Sequence, residues 1–212
     1  LQKRPQQSTA RVFYGEADGV SGLVIDRYVG PAGSAVVIQL QNAAAETLRP
    51  HLPEALDALA EEGNALGDSV ILRLDSRSRA KDLLQVEPYE ILRKQEKHSD
   101  ELLRRFPATL RRSAAPPVTL EADLLEGQKT GLFLDQVDNA FTAAEFVSRG
   151  LARHPAPLRM LDLFCYVGLW SSVFASRFPC EATGLDRSEN ALERYRRNAS
   201  GAGASAVHTV QD

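Results

Sequence analysis

The sequence predicts an α/β protein in two parts: a small mixed α/β module, then the first half of a doubly wound parallel sheet. Three observations carry this. Between residues 10 and 41, short β-rich runs alternate with glycine turns. From about residue 137, segments of helix and strand length alternate, and from 159 they read β-α-β-α-β, the order of parallel strands joined by helices. The 212 residues, 43% hydrophobic and 25% charged, suit an ordinary globular chain and argue against disorder or a collagen-like or disulfide-scaffold class.

In the first module, expected at 1–115, strands are predicted at Arg11–Tyr14, Leu23–Asp26 and Ala35–Leu40. The alanine- and leucine-rich stretch Ala43–Glu62 reads as helix. Pro50 or Pro53 should break it or start a second helix, and Gly63 should stop it. Val70–Leu74 is a further strand. Residues 92 to 117 are less regular and basic: seven Lys and Arg against three acids leave a local charge of +4. A solvated face and linker explains this as well as a nucleic-acid contact does. Pro116-Pro117 should end the module before a strand over Val118–Leu125.

In the second part, 116–212, Asp138–Leu151 reads as a helix with Phe141, Ala144, Val147 and Leu151 on one stripe. Arg159–Phe164 follows as a buried strand, Leu169–Phe178 as a helix, and Glu181–Asp186 as a strand. A helix over Ser188–Ala199, with Ser188 as N-cap, leads to a last strand at Ala206–Val210. This is a Rossmann-like order, and in such sheets ligands bind at the carboxyl ends of the strands. The first turn, Asp162-Leu163-Phe164-Cys165-Tyr166-Val167-Gly168, has one glycine where a dinucleotide fold has three, which disfavours a pyrophosphate. Asp186 ends the next strand 18 residues after Gly168, near the offset of a ribose-binding acid, and Asp212 ends the third. One such aspartate is as often a cap or turn former. The ordered trio Asp162, Asp186 and Asp212 favours a nucleoside ligand without phosphate, a description that fits S-adenosylmethionine.

Two longer motifs carry a resemblance. Glu126–Asn139 resembles the G-x-K-T-G-x-x-L-D-Q-R-x-N motif of bacterial large-subunit rRNA cytosine-C5 methyltransferases, with Val137 in place of the arginine. Glu16–Tyr28 matches that family's E-x-D-x-x-x-G-L-x-x-D-R-Y signature, and Met160–Gly168 is similar to the first motif of class I methyltransferases. The resemblance implies that Lys129, Thr130, Gly131, Phe133, Leu134, Asp135 and Gln136 lie over the methionine end of S-adenosylmethionine. It places Asp162, Phe164, Tyr166 and Gly168 at its amino-acid and sulfonium region, Asp186 at the ribose and Asp212 at the adenine. The competing reading of Gly127–Asn139 is a loop feeding a helix capped by Asp138, its glycines serving geometry alone.

The family's nucleophilic cysteine and D-P-P motif lie beyond the fourth strand, past Asp212, so no catalytic residue is assigned here. Cys165 and Cys180 read as packing residues. His51, His98, His154 and His208 lack metal-ligand spacing, so no metal is expected. The chain starts without Met and stops mid-strand at Val210-Gln211-Asp212. The expectation is therefore a piece of a longer protein, lacking an RNA-reading domain and the catalytic part, with an open sheet edge that invites a homodimer.

The implied partner is RNA, rRNA first, met by Lys3, Arg4 and Arg11, the cluster Arg73, Arg77, Arg79 and Lys81, or the 93–112 stretch. No run approaches the roughly 18 apolar residues of a membrane span, and Leu1–Pro5 lacks a signal peptide's apolar stretch. Two cysteines suit a reducing cytoplasm. The alternatives are a methyltransferase for a small molecule or protein, or an inactive piece that acts only as a binding module.

Overall fold

A computed structural model describes residues 8–61, 67–112, 115–151 and 157–211. The chain divides into two compact units that interleave in sequence: Leu1–Phe106 with Ala122–Leu132, and Pro107–Glu121 with Phe133–Asp212. The sequence suggests a single cut at 115. The reason for the difference is that 122–132 is needed as cover for the first unit's sheet.

That sheet has the order β1-β2-β3-β4-β5. β1 (Ala10–Tyr14), β2 (Leu23–Gly30) and β3 (Gly33–Leu40) form an antiparallel meander. β2 runs four residues past its predicted end because Pro31-Ala32 closes a two-residue hairpin with Gly30 paired to Gly33. The crossover from β3 contains α1 (Ala43–Glu46), a 3-10 turn at Arg49–His51 and α2 (Leu52–Glu61). Pro50 sits in that turn and Pro53 at the start of α2, so the prolines divide the helix as expected. Gly63, the predicted stop, lies outside the described residues. β4 (Ser69–Leu74) then pairs in parallel with β3.

Four elements escape the sequence reading. α3 (Arg77–Lys81) is a single turn, and β5 (Glu87–Arg93) pairs antiparallel with β4. β5 carries Pro88 and charged residues because it is an edge strand, where a missing N–H is tolerated. α4 (Asp100–Arg104), capped by Ser99, leads into β6 (Phe106–Leu110).

One face of the sheet buries Leu23, Val36, Ile38, Leu40, Val70, Leu72 and Leu74 beneath Ala45 and Leu56 of the crossover helices. The alternation of β2 sends Asp26 and Tyr28, both fully buried, to the opposite face. There the Asp26 carboxylate takes a bidentate pair from Arg11, at 2.8 and 2.9 Å, and the Thr130 hydroxyl at 2.5 Å. Thr130 has one proton and donates it to a carboxylate, so its oxygen receives the Tyr28 hydroxyl at 2.9 Å. The Tyr28 oxygen in turn accepts the Leu132 N–H at 3.2 Å. Arg73, also buried, donates to the carbonyls of Leu124 and Gly127 and pairs with Asp75. The segment 122–132 is thus held onto the sheet by buried polar side chains.

In the second unit, β6 pairs with β7 (Val118–Ala122) in a two-stranded sheet. β7 stops short of the predicted Leu125 because Asp123 turns the chain, accepting the N–H groups of Leu125 and Glu126. After a 3-10 turn at Leu134–Gln136 come α5 (Val137–Leu151), β8 (Leu158–Leu163), α6 (Leu169–Ala175) and β9 (Cys180–Asp186). α7 (Glu189–Gly201), with Ser188 as N-cap, and β10 (Ala206–Gln211) complete it. The three strands are parallel in the order β10-β9-β8. Cys165, Cys180, Ala182, Leu192, Tyr195 and Ala199 belong to one buried apolar cluster of this unit.

β8 is not the buried strand its composition suggests. Leu161 and Leu163 are 62% and 55% exposed and only Asp162 is buried, because the side chains of β8 alternate between a helix-covered face and an open one. Among the described residues no helix is long and apolar enough to cross a membrane.

Asp26→Ala would remove the carboxylate that the Arg11 guanidinium and the Thr130 hydroxyl share. It should destabilise the first unit by about 3 kcal/mol, and Thr130→Val by about 1–2 kcal/mol, in urea unfolding. Equal and negligible effects would show that the hydroxyl chain is ornamental.

Candidate functional site

The carboxyl end of β8 turns into α6 through a tightly wound loop. Phe164, Tyr166 and Gly168 all take positive φ, +58°, +48° and +85°. For two bulky aromatics this backbone is costly, of order 1 kcal/mol each, and it persists only where neighbours enforce it. They do so here. The Cys165 N–H donates to Leu185 O at 3.0 Å, the Tyr166 N–H to Asp186 Oδ2 at 2.8 Å, and the Gly168 N–H to Cys165 O at 2.8 Å. Asn198 of α7 donates to Val167 O at 2.8 Å and accepts the Glu121 N–H at the same distance. The winding leaves Phe164 83% exposed and sets Tyr166 edge-on to Phe133, ring centroids 5.3 Å apart.

The single glycine of the turn serves packing as well as backbone geometry. A Cβ on Gly168 would lie 2.7 Å from the Tyr195 ring, and one on Gly184 only 2.5 Å from it. The ring of Tyr195 on α7 therefore occupies the space where these two glycines lack side chains. Its hydroxyl meets Ser171 Oγ at 2.9 Å, and Ser171 donates to Asp162 Oδ2 from Oγ at 2.8 Å and from N–H at 3.2 Å. Burial is the main cause raising the Asp162 pKa; the Ser171 hydrogen bonds lower it, and the negative Asp186 raises it further. Asp186 spends Oδ2 on Tyr166 and Oδ1 on the Ser188 N–H at 2.9 Å, so each oxygen keeps a lone pair for another donor.

Phe133, Asp162, Phe164, Tyr166, Gly168 and Asp186 thus belong to one unit, where Asp162 to Gly168 and Asp186 share one end of the sheet and Phe133 meets Tyr166. Leu134 is a core residue, Asp135 is exposed, and Gln136 is half-buried and accepts from Asn139. Thr130 is buried in the first unit against Asp26 and Tyr28, and Gly131 has φ +127° with Asp123 O close by. Lys129 is exposed at φ +54°. Asp212 lies outside the described residues.

Sequence reading missed Ser171, Tyr195 and Asn198. The stripe Ala191, Leu192, Tyr195, Ala199 on α7 was the available signal for Tyr195, since that spacing turns one helix face inward. Among the described residues no group of three or more His, Cys, Asp or Glu side chains could hold a metal ion. His98 is buried between Ser69 and the Ala32 carbonyl.

Comparison with known proteins follows the same lines. No protein-family model matches the chain. It is 36% identical over 205 residues to a ribosomal RNA large subunit methyltransferase of Deinococcus radiodurans, an alignment covering 95% of this chain and 43% of that protein. The chain therefore spans less than half the length of that curated relative. Among solved structures it resembles a provisionally assigned SAM-dependent methyltransferase from Streptococcus mutans, at a TM-score of 0.66 and 16% identity over 99% of this chain and 47% of that one. A provisionally assigned methyltransferase complexed with SAH follows at 0.63 and 17%, over 99% and 46%. These likenesses establish the fold as one shared with methyltransferases of that type.

The Cys165 thiol is buried and pushed up to about 12, chiefly by desolvation, and burial raises Cys180 as well. Both should stay unmodified by iodoacetamide at pH 8 in the folded chain and react only in denaturant, as read by mass spectrometry. Rapid labelling of either under native conditions would contradict this environment.

Proposed function

We propose that this chain carries the S-adenosylmethionine-binding part of a cytoplasmic RNA methyltransferase that acts on large-subunit rRNA, with carbon 5 of cytosine as its target. The observation that carries the reading is the pair of carboxylates, Asp162 and Asp186, at adjacent strand ends around a turn with no phosphate cradle. That donor set suits a cationic nucleoside better than a dinucleotide. The rRNA methyltransferase name of the Deinococcus relative and the SAH complex of the structural neighbour support it.

When bound, S-adenosylmethionine supplies an electrophilic methyl group on a sulfonium. Asp186 holds its carboxylate in place through two backbone N–H groups while retaining acceptor capacity for a ribose diol. Asp162, at the turn, offers negative charge to a cationic ligand. The Phe133 and Tyr166 rings provide apolar contact surface beside it. Attack on cytosine needs a thiolate. Cys165 and Cys180, buried and with raised pKa, are unsuited to that role, so this chain is assigned the donor site alone.

Ion pairing in the first unit narrows the RNA-contact candidates. Arg93, Lys94, Lys97 and Arg104 are paired with Asp57, Asp100, Asp68 and Glu126. Arg73 and Arg79 are buried. Arg77 and Lys81 are the exposed cations of their cluster, close in sequence to Leu83, which is 94% exposed.

Calorimetric titration with S-adenosylhomocysteine tests the reading. The chain should bind it, and Asp186→Asn should weaken binding about tenfold, the effect of losing a charge-assisted hydrogen bond. No binding by the unaltered chain would overturn the assignment. For the RNA arm, Arg77→Glu with Lys81→Glu should lower affinity for a large-subunit rRNA transcript and flatten its salt dependence by roughly one to two log units per log unit. An unchanged salt slope would remove this helix from the RNA contact.

A further inference from the structure

We infer that Ser171 and Tyr195 are positioning residues for the ligand site: a directed hydroxyl chain from Tyr195 through Ser171 fixes Asp162 so that one carboxylate oxygen is left for a cationic ligand. The inference rests on the methyl-donor reading for the identity of that ligand, and on geometry within a single unit for the rest.

The direction of the chain follows from proton counting. An ionised carboxylate only accepts, so the Ser171 hydroxyl donates to Asp162 Oδ2. Its proton is then committed, and the Tyr195 hydroxyl, 2.9 Å away, donates to Ser171 Oγ. Together with the Ser171 N–H, two donors converge on Oδ2, while Oδ1 has no protein hydrogen bond among the described residues. The arrangement has little freedom. Ser171 and Tyr195 are both fully buried, and the Tyr195 ring is seated against the Cα positions of Gly168 and Gly184, where no Cβ would fit.

The charged and titratable groups acting on Asp162 come from each element packed around it. Asp186 on β9 repels its charge. Cys165 in the turn and Tyr195 on α7 are both neutral at physiological pH, since burial raises their pKa. α6 contributes only the neutral Ser171. Among these groups the two Ser171 donors are what favour the ionised carboxylate against burial and Asp186. The α-ammonium, the cation that S-adenosylmethionine and S-adenosylhomocysteine share, binds the ionised form, so affinity is present above the Asp162 midpoint and is lost as pH falls through it. Without the Ser171 hydroxyl the midpoint rises, and the loss begins at higher pH.

The test has two independent readouts on the full chain. In the ligand-free protein, carbon-13 NMR follows the Asp162 carboxyl through a pH titration. Ser171→Ala should move its midpoint upward, and Tyr195→Phe, which keeps the ring against both glycines, should move it the same way by less. In calorimetry with S-adenosylhomocysteine, Ser171→Ala should weaken binding about tenfold and Tyr195→Phe a few-fold, with the acid limb of affinity displaced upward in both. Asp162→Asn should abolish that limb. A merely structural role would lower the unfolding midpoint and leave the limb where it is. An unmoved NMR midpoint in both variants overturns the positioning role. Absence of S-adenosylhomocysteine binding by the unaltered chain overturns the methyl-donor reading instead, and the NMR titration then decides the positioning role alone. Should Ser171→Ala fail to fold, Tyr195→Phe carries both readouts.

Discussion

A carboxylate removed from water must have its oxygens satisfied, and both units of this protein are organised around that requirement. Desolvating such a group costs several kcal/mol, and attraction to a well-placed partner offsets it only with good geometry. Asp26 meets the condition in full with a bidentate arginine and a threonine hydroxyl, and Asp162 meets it at Oδ2 alone, with a serine hydroxyl and backbone N–H. In each case a buried tyrosine stands behind the hydroxyl and fixes its direction. The two chains, Tyr28–Thr130–Asp26 and Tyr195–Ser171–Asp162, have the same chemistry and different ends. The first ends on an arginine and is closed; the second leaves an oxygen over. Closed networks of this kind hold structure, and a network with a spare acceptor can hold something else.

Charge in the first unit follows a similar logic. Its basic stretch has the composition of a nucleic-acid contact, yet most of its cations face acids on other elements, among them Arg93 on Asp57 and Arg104 on Glu126. Exposed pairs of this sort add little stability. Their effect is to neutralise the surface, so the cations left for a polyanion are fewer than the sequence count implies.

Much of the fold is legible in the sequence. The parallel strands β8, β9 and β10 and the helices between them follow from apolar period and from Ser188 as a cap, because these are local properties of the chain. β5 is not legible: an edge strand tolerates Pro88 and charges because one side of it is unpaired. Nor is the open face of β8, since Met160-Leu161-Asp162-Leu163 reads as equally apolar whether or not a helix covers it.

At the site, sequence alone determined which residues end the strands, Asp162 and Asp186, and that the intervening turn has one glycine. Only the tertiary structure decided what those residues do. Gly168 makes room for a tyrosine 27 positions onward, and Thr130 is spent on a carboxylate 104 positions back. Asp162 has its orientation set by a serine whose own proton is directed by that tyrosine. The physical reason is one of range. Helix and strand period, caps and turns are fixed by neighbours along the chain. Which oxygen of a buried carboxylate is satisfied, and which is left for a ligand, depends on groups that only the finished fold brings within 3 Å.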